Sequence, residues 1–334
     1  MLKKLLRTRV SVKTVAAIVM GVSAVCTPAT AQDYPARPIQ FIVPYTPGTT
    51  GDMLARLLGA KIAQRWNASV VVENKAGASG IIGTDAVAKA APDGYTFLFT
   101  ATSHGTIAAT SAANNTKLPY DAIRSFAPVS LLGKSAMTLV VTNALPVQNL
   151  REFILHLKRQ PGVLNYASPG LGSSQQLAME LFRQETGTQM LHVPYKGSAG
   201  ALSDVAAGHV HASVASVQSA SAMTQSGKLR MLAVMGRERT PAFPQVPTFV
   251  ELGYPNMLVE TWYGMFAPAG TPPALVTRMS GEIDQLLTLP EVRDAMQKQG
   301  VEPAGGKPER LDTLLRAELK LWTQVVSRAK IVVQ

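Results

Sequence analysis

The sequence predicts an α/β fold of two lobes, each a mostly parallel sheet flanked by helices, with a ligand cleft between them. Three observations predict it. From residue 39 to residue 235, short apolar runs alternate with segments of helical period, and the runs are continuous, as in strands buried on both faces. The alternation restarts once, after a β-rich stretch from Val129 to Thr142. The chain has 334 residues, 46% of them hydrophobic, enough to fill two cores.

Ile39–Val43 reads as the first strand. Asp52 then reads as the cap of a helix whose Leu54, Leu57, Leu58 and Ile62 share one face. Val70–Val72 is a second strand and Gly80–Ala90 a second helix; the turn Pro92-Asp93-Gly94 leads into a third strand, Tyr95–Thr100. The Val129–Thr142 stretch is read as broken at Gly133-Lys134. Asn149 starts a helix with Leu150, Phe153, Ile154 and Leu157 on one face. Strands follow near Leu164–Ala167, Met190–Pro194, Ala212–Ala215 and Met231–Met235, with helices at Ser174–Glu185 and Ala199–Ala207. Val259–Ala267 is a late strand, and Leu311–Val326 a helix with a stripe of Leu311, Leu314, Leu315, Leu319 and Trp322. Residues 32–135 and 241–334 are expected to build the first lobe and 136–240 the second, joined by crossings near 129–142 and 236–262.

The first 31 residues read as a cleaved secretory signal. MLKKLLRTRVSVK is basic, an apolar run spans Val15 to Val25, and Ala29-Thr30-Ala31 supplies small residues for cleavage. Eleven apolar residues are too few to span a bilayer. The only cysteine, Cys26, lies inside this segment; Val25 before it is bulky for a lipidation site, and the mature chain has no thiol for a disulfide. Without the five basic residues of the leader, 27 basic residues face 21 acidic ones, scattered rather than clustered. That argues against nucleic acid as a partner and leaves a mild positive field that favours small anions.

The chemistry sits at the strand ends, where open sheets bind ligands. In the first lobe these loops are Thr46–Gly51, Asn74–Ser79 and Ala101–Gly105; in the second they are Ser168–Ser174, Tyr195–Ser198 and Ser216–Ser219. Glycine lets the backbone approach a ligand, Ser and Thr add hydroxyl donors, and a following helix start adds free N–H groups with positive partial charge. Together they suit a carboxylate or phosphate. Thr46, Thr50 and Ser216 enter the expected site on these grounds, and His104 is the histidine expected to see ligand.

Other constellations are weaker. G-A-S-G-I-I-G from Gly77 to Gly83 lacks the first half of a dinucleotide fingerprint. Ser173, His192 and Asp204 suggest a hydrolase triad, but Ser173 is not on a G-x-S-x-G elbow and the chain order is wrong. His209 and His211 would share one face of a strand, with no third metal ligand evident. Trp262 and Tyr263 read as packing at the lobe junction. No catalytic residue, metal or cofactor is expected.

Several segments carry a family resemblance over essentially the whole mature chain: YPARPIQFIVPYTPG, VVVENKAGASGIIG, APDGYTFLF, YASPGLGSSQQLAMELF, HVPYKGSAGALSDVAAGHV, SGKLRMLAV, VPTFVELGYP and WYGMFAPAGTPP. They resemble the extracytoplasmic substrate-binding proteins of tripartite tricarboxylate transporters, the Bug-type receptors. The resemblance implies a periplasmic-binding-protein-like fold of type II, capture of a small organic acid, and delivery to the membrane subunits of the transporter. It implies ligand contacts at Pro47, Gly48, Thr49, Ser103 and His104 in the first lobe, and at Ser168, Gly170, Gly172, Ser173 and Ser174 in the second. Asp204 matches a family acid, with capping or hinge support as much in view as ligand contact. One departure stands out: the usual P-G-G-G-[ST]-D loop reads Pro47-Gly48-Thr49-Thr50-Gly51-Asp52 here. The expected protein is a periplasmic monomer without enzymatic activity. The alternatives are a sensor that docks onto a membrane kinase and a secreted esterase using Ser173.

Overall fold

Parallel and antiparallel pairing divide the labour in this chain. The computed structural model describes residues 34–195 and 197–331; the expected signal and Cys26 lie outside them. Tyr34 to Ala36 carry no helix or strand. The chain from Arg37 onward is one compact unit, and the following concerns that unit.

The first sheet begins with β1 (Ile39–Val43), β2 (Val70–Asn74) and β3 (Thr96–Ala101), all parallel in the order β2-β1-β3. Helix α1 (Thr50–Trp66) follows β1, and α2 (Ile81–Ala88) and α3 (Ser103–Ala113) follow β2 and β3. The long strand β4 (Phe126–Thr142) then leaves this sheet and enters the second. After α4 (Leu150–Arg159), the second sheet is built from β5 (Asn165–Ser168), β6 (Leu191–Pro194), β7 (Ala212–Ser216) and β8 (Leu229–Val234), with helices α5 (Ser174–Thr186), α6 (Ser198–Ala207) and α7 (Val217–Gln225) between them. Strand β9 (Glu260–Pro268) returns to the first sheet, and α8 (Pro273–Leu286), α9 (Pro290–Lys298), the short β10 (Glu302–Pro303) and α10 (Pro308–Ala329) close the chain.

The parallel sets are β1–β3 in the first sheet and β5–β7 in the second. The crossing strands are antiparallel to their partners. Residues Phe126 to Ala136 of β4 pair with β9, and residues from Met137 onward pair with β7 and β8. The change of sheet therefore falls at Ala136-Met137. Beside it Met235 N–H donates to Met137 O and Val259 N–H to Met235 O. The break expected at Gly133-Lys134 is instead a register shift within one continuous strand, between Leu131 and Gly133.

Apolar clusters flank these sheets, two of them reached by α10. Ile42, Leu98, Trp262, Phe266, Leu311 and Leu315 belong to one; Tyr166, Phe153, Phe182, Phe249, Trp322 and Val326 belong to the other. Helix α10 therefore contributes to both, its first half to one and its last turns to the other. Trp262 is buried in packing, as the sequence suggests. Gly83 of the G-A-S-G-I-I-G stretch explains itself by contact: a Cβ there would lie 2.6 Å from Lys75 O, so α2 closes directly onto the loop after β2.

Candidate functional site

A cavity of about 680 Å³ opens at the carboxyl ends of the parallel strands. One wall comes from Ala78, Ser79 and Ile81 after β2 and from the Ser103–Asn114 face of α3; the other is the loop Pro169–Gln175 after β5. Three helical starts thus meet one space: the 3₁₀ turn at Ala78 that leads into α2, the start of α3 at Ser103, and the start of α5 at Ser174. Each brings N–H groups that its own helix cannot satisfy.

The α5 start is the most completely organised. Ser173 is the N-cap, and its Oγ accepts from Gln176 N–H at 3.3 Å while donating to Gly170 O at 2.7 Å. Gln176 Oε1 reaches back to accept Gly172 N–H at 2.7 Å. This is a capping box displaced by one residue: the back-bond falls on Gly172 N–H, while the N–H of Ser173 itself goes to Gly170 O. Leu177 N–H is taken by Ser173 O, so the N–H groups of Ser174 and Gln175 remain, without a protein partner among the described residues. Both residues line the cavity.

The loop after β1 repeats the arrangement with a different outcome. Thr49, not Asp52, is the N-cap of α1, with its Oγ1 accepting from Asp52 N–H at 3.4 Å. Asp52 sits in the first turn and accepts Gly48 N–H at 2.9 Å. Burial alone would raise the Asp52 carboxyl, but hydrogen bonds from Arg56, Gly48 N–H and Asn74 hold it below the usual carboxylate range. The N–H expected to meet ligand at Gly48 is therefore spent on a carboxylate four residues along the same chain. Thr49 Oγ1 donates to Thr46 O, and the Thr50 hydroxyl bonds Tyr263. Thr46, Pro47, Gly48, Thr49 and Thr50 are not in the cavity wall. The loop acts through Tyr45, whose hydroxyl lies 2.6 Å from Ser103 Oγ, 2.9 Å from Thr100 Oγ1 and accepts Ala101 N–H.

Of the other expected residues, Ser103, Gly170, Gly172, Ser173 and Ser174 line the cavity. His104 does not. It belongs to the first turn of α3, where the neighbouring side chain points to the opposite face. Its ring is 2% exposed, stacks on Tyr120, and meets Phe126 and Phe266 at 5.1 Å, with Nε2 2.9 Å from Ala122 O. Burial pulls its pKa down to about 4. Ser168 is fully buried beneath the second-lobe loop. Asp204 accepts from Tyr195 Oη at 2.6 Å and lies 3.5 Å from His209. Ser216 caps α7 through Ser219 N–H. Among the residues missed by sequence reasoning are Thr106, Asn114, Lys117 and Gln175, which line the cavity, and Gln176 behind it; the signal for Gln176 was its spacing, since Gly48-Thr49-x-x-Asp52 and Gly172-Ser173-x-x-Gln176 are the same pattern.

The weaker constellations come apart. His192 bonds Ser168 and Gln176, Ser173 bonds Gly170, and Asp204 bonds Tyr195, so the three expected triad members do not meet. His209 and His211 precede β7 rather than sharing its face: His209 faces Asp204, and His211 faces Asn165. A second cavity of about 660 Å³, edged by Asn149, Arg151, Arg230 and Pro247, contains none of the expected residues and draws its wall from the second-sheet side alone.

The family described as "Tripartite tricarboxylate transporter family receptor", TctC, matches residues 54–331. The chain belongs to this family. Among its relatives, the protein BugT of Bordetella pertussis is 36% identical over 309 residues, which cover 92% of this chain and 94% of BugT. Rpa4515 of R. palustris, solved with adipate, is 34% identical with a TM-score of 0.75, covering 90% of this chain and 99% of its own. MatC of Rhodopseudomonas palustris, solved with bound malate, is 30% identical with a TM-score of 0.72, covering 88% of this receptor and 100% of MatC. The two-lobed binding-protein fold of this receptor is thereby shown, and its cavity occupies the strand ends where such a fold receives ligand.

Proposed function

We propose that this receptor binds a small organic carboxylate in the cavity between its strand ends and delivers it to the membrane subunits of a tripartite transporter, acting in the periplasm as a monomer without a chemical step. The observation that carries the reading is the pair of N–H groups at Ser174 and Gln175, without a partner among the described residues, on residues that line one cavity with the starts of α2 and α3. Hydrogen bonds to an ionised group contribute roughly 1.5–3 kcal/mol each. Four or so, less the cost of closing, reach the ~8 kcal/mol of micromolar binding. Relatives solved with adipate and malate support a carboxylate as the ligand class. Thr46 to Thr50, Asp204 and Ser216 serve behind the cleft in this reading, shaping the loops that touch ligand. Residues 32–135 and 241–334 move as one lobe and 136–240 as the other, turning about Ala136-Met137 and Met235.

Isothermal titration of the chain from Gln32 onward with adipate, malate and citrate tests this, with neutral sugars as controls. Saturable binding of at least one acid is expected, with the sugars inert. No heat with any acid, or equal binding of sugars, overturns it.

A further inference from the structure

The second-lobe loop is braced from below by a histidine that touches no part of the cavity wall. His192 on β6 stacks on Tyr166 of β5 at 4.9 Å. Its Nε2 lies 2.7 Å from Ser168 Oγ, and its Nδ1 lies 3.2 Å from Gln176 Nε2. The surrounding bonds fix the tautomer. Gln176 must present its amide oxygen to Gly172 N–H, at 2.7 Å, so its NH₂ faces His192 and Nδ1 has to accept. The ring N–H then sits on Nε2 and donates to Ser168 Oγ, whose hydroxyl donates to Gly170 O at 3.1 Å while Oγ also accepts Gly170 N–H at 3.2 Å. A neutral ring thus holds both ends of the loop: Gly170 through Ser168, and Gly172 through Gln176.

We propose that His192 is a positioning residue for the cleft, whose neutral ring keeps the Ser168–Gln176 loop in its ligand-receiving shape, so that acidification loosens the loop and weakens binding. The inference rests on the reading that this cavity receives the carboxylate. Protonation puts a hydrogen on Nδ1, facing the Gln176 NH₂. Two donors then oppose each other. Turning the Gln176 amide relieves that clash but aims its NH₂ at Gly172 N–H, so one bond of the relay is lost either way. The relay's far end is the cap of α5, next to the Ser174 and Gln175 amides.

The ionisable groups facing His192 are Glu180 and Arg183 from α5 and Tyr166 from β5. Glu180 favours the protonated ring and Arg183 opposes it, while the two are themselves paired at 2.6 Å. Burial is the largest influence and depresses the ring's pKa. The sign follows: the neutral form is present above that pKa and is lost as pH falls through it.

The test separates the relay from the ligand reading. In ligand-free protein, the amide resonance of Gly172 and the ring resonances of His192 are followed by NMR from about pH 8 to about pH 5, a window spanning the ordinary imidazole range. The Gly172 amide is expected to move with the His192 midpoint, and to stop doing so in His192→Asn, whose Oδ1 accepts from Gln176 without titrating. In parallel, the Kd for adipate is measured at the two ends of that range. The wild type is expected to weaken about fivefold more than His192→Asn, the fold-change for one lost hydrogen bond; the comparison cancels protonation of adipate itself. His192→Gln, which keeps a donor toward Ser168 but no acceptor at Nδ1, is expected to bind weakly at both ends. A ring that does not titrate in this range, a Gly172 amide indifferent to it, or equal pH slopes in wild type and His192→Asn each overturns the proposal. If no acid binds at any pH, the ligand reading fails while the NMR titration still decides the relay.

Discussion

At the scale of single residues, the chain is governed by who reaches a donor first. Asp52 takes Gly48 N–H because it stands four residues away on a forming helix, in a loop where a bound carboxylate was expected. Gln176 takes Gly172 N–H by the same geometry. These contacts need only local sequence: the same Gly-hydroxyl-x-x-acceptor spacing recurs in both loops, although the sequence reading gives both glycines to the ligand. His104 is the opposite case. Nothing within its own loop says that Tyr120, Phe126 and Phe266 will surround it. Gly133 is also decided from afar: a Cβ would meet Val301 Cγ1 at 2.6 Å and Glu302 O at 2.8 Å, because β10 pairs with β4 at this point. Replacing Gly133 with Ala is expected to cost about 1–3 kcal/mol, the range for overpacking. Urea denaturation measures it, and an unchanged midpoint would mean that β10 yields without cost.

Among the elements, the helix starts meet at the cavity. Ser173 has φ −66° and ψ 148°, the extended conformation that a following proline requires. Proline is also well tolerated at the first helical position, because that N–H has no helical partner. Ser174→Pro should therefore leave α5 intact and remove one ligand-facing donor. Adipate is expected to bind about 10-fold more weakly or worse, as for a lost bond to a charged group, with thermal stability held or raised. Unchanged affinity would place the carboxylate elsewhere in the cavity. The turn after β2 holds Ala78 at φ 45° and Ser79 at φ 56°, both in the left-handed region and both in the cavity wall. Such conformations cost energy in non-glycine residues and persist where packing imposes them; here Gly83 brings α2 hard against Lys75 O.

For the whole molecule, the question is what links the two lobes. β4 runs from the first sheet into the second, the chain comes back to the first sheet at β9, and α10 supplies side chains to clusters on both sides. Glu318 lies on α10 between those two sets, accepting from Trp262 Nε1 at 2.6 Å. Burial pushes its carboxyl up to about 8, against the Trp262 bond and the nearby Lys134. The folded chain therefore holds this proton up to about pH 8, whereas the unfolded chain releases it near 4.5. The stability contributed is complete below the lower value and is lost as pH rises through the upper one. Between about pH 5 and about pH 9, the melting temperature of wild type is expected to fall more than that of Glu318→Gln. Calorimetry checks this, and parallel curves would show that Glu318 is ionised in the folded state. Deleting the receptor is expected to lower uptake of the acid it binds, measured with labelled acid in whole cells; unchanged uptake would favour a sensing role.

Alternation of apolar runs and helical periods, read along the chain, determined the α/β class, the two parallel sets and the loops that end at the cavity. It did so because strand burial and helix amphipathicity are properties of neighbours a few residues apart. The N-caps at Asn149, Ser173 and Ser216 belong to the same local physics. Only the tertiary structure decided that His104 is core, that burial raises the Glu318 carboxyl, and that His192 sits under the second-lobe loop. Each depends on a partner whose distance in the chain carries no local signal, brought close by the pairing of β4 with β9, the packing of α10 or the parallel pairing of β6 with β5.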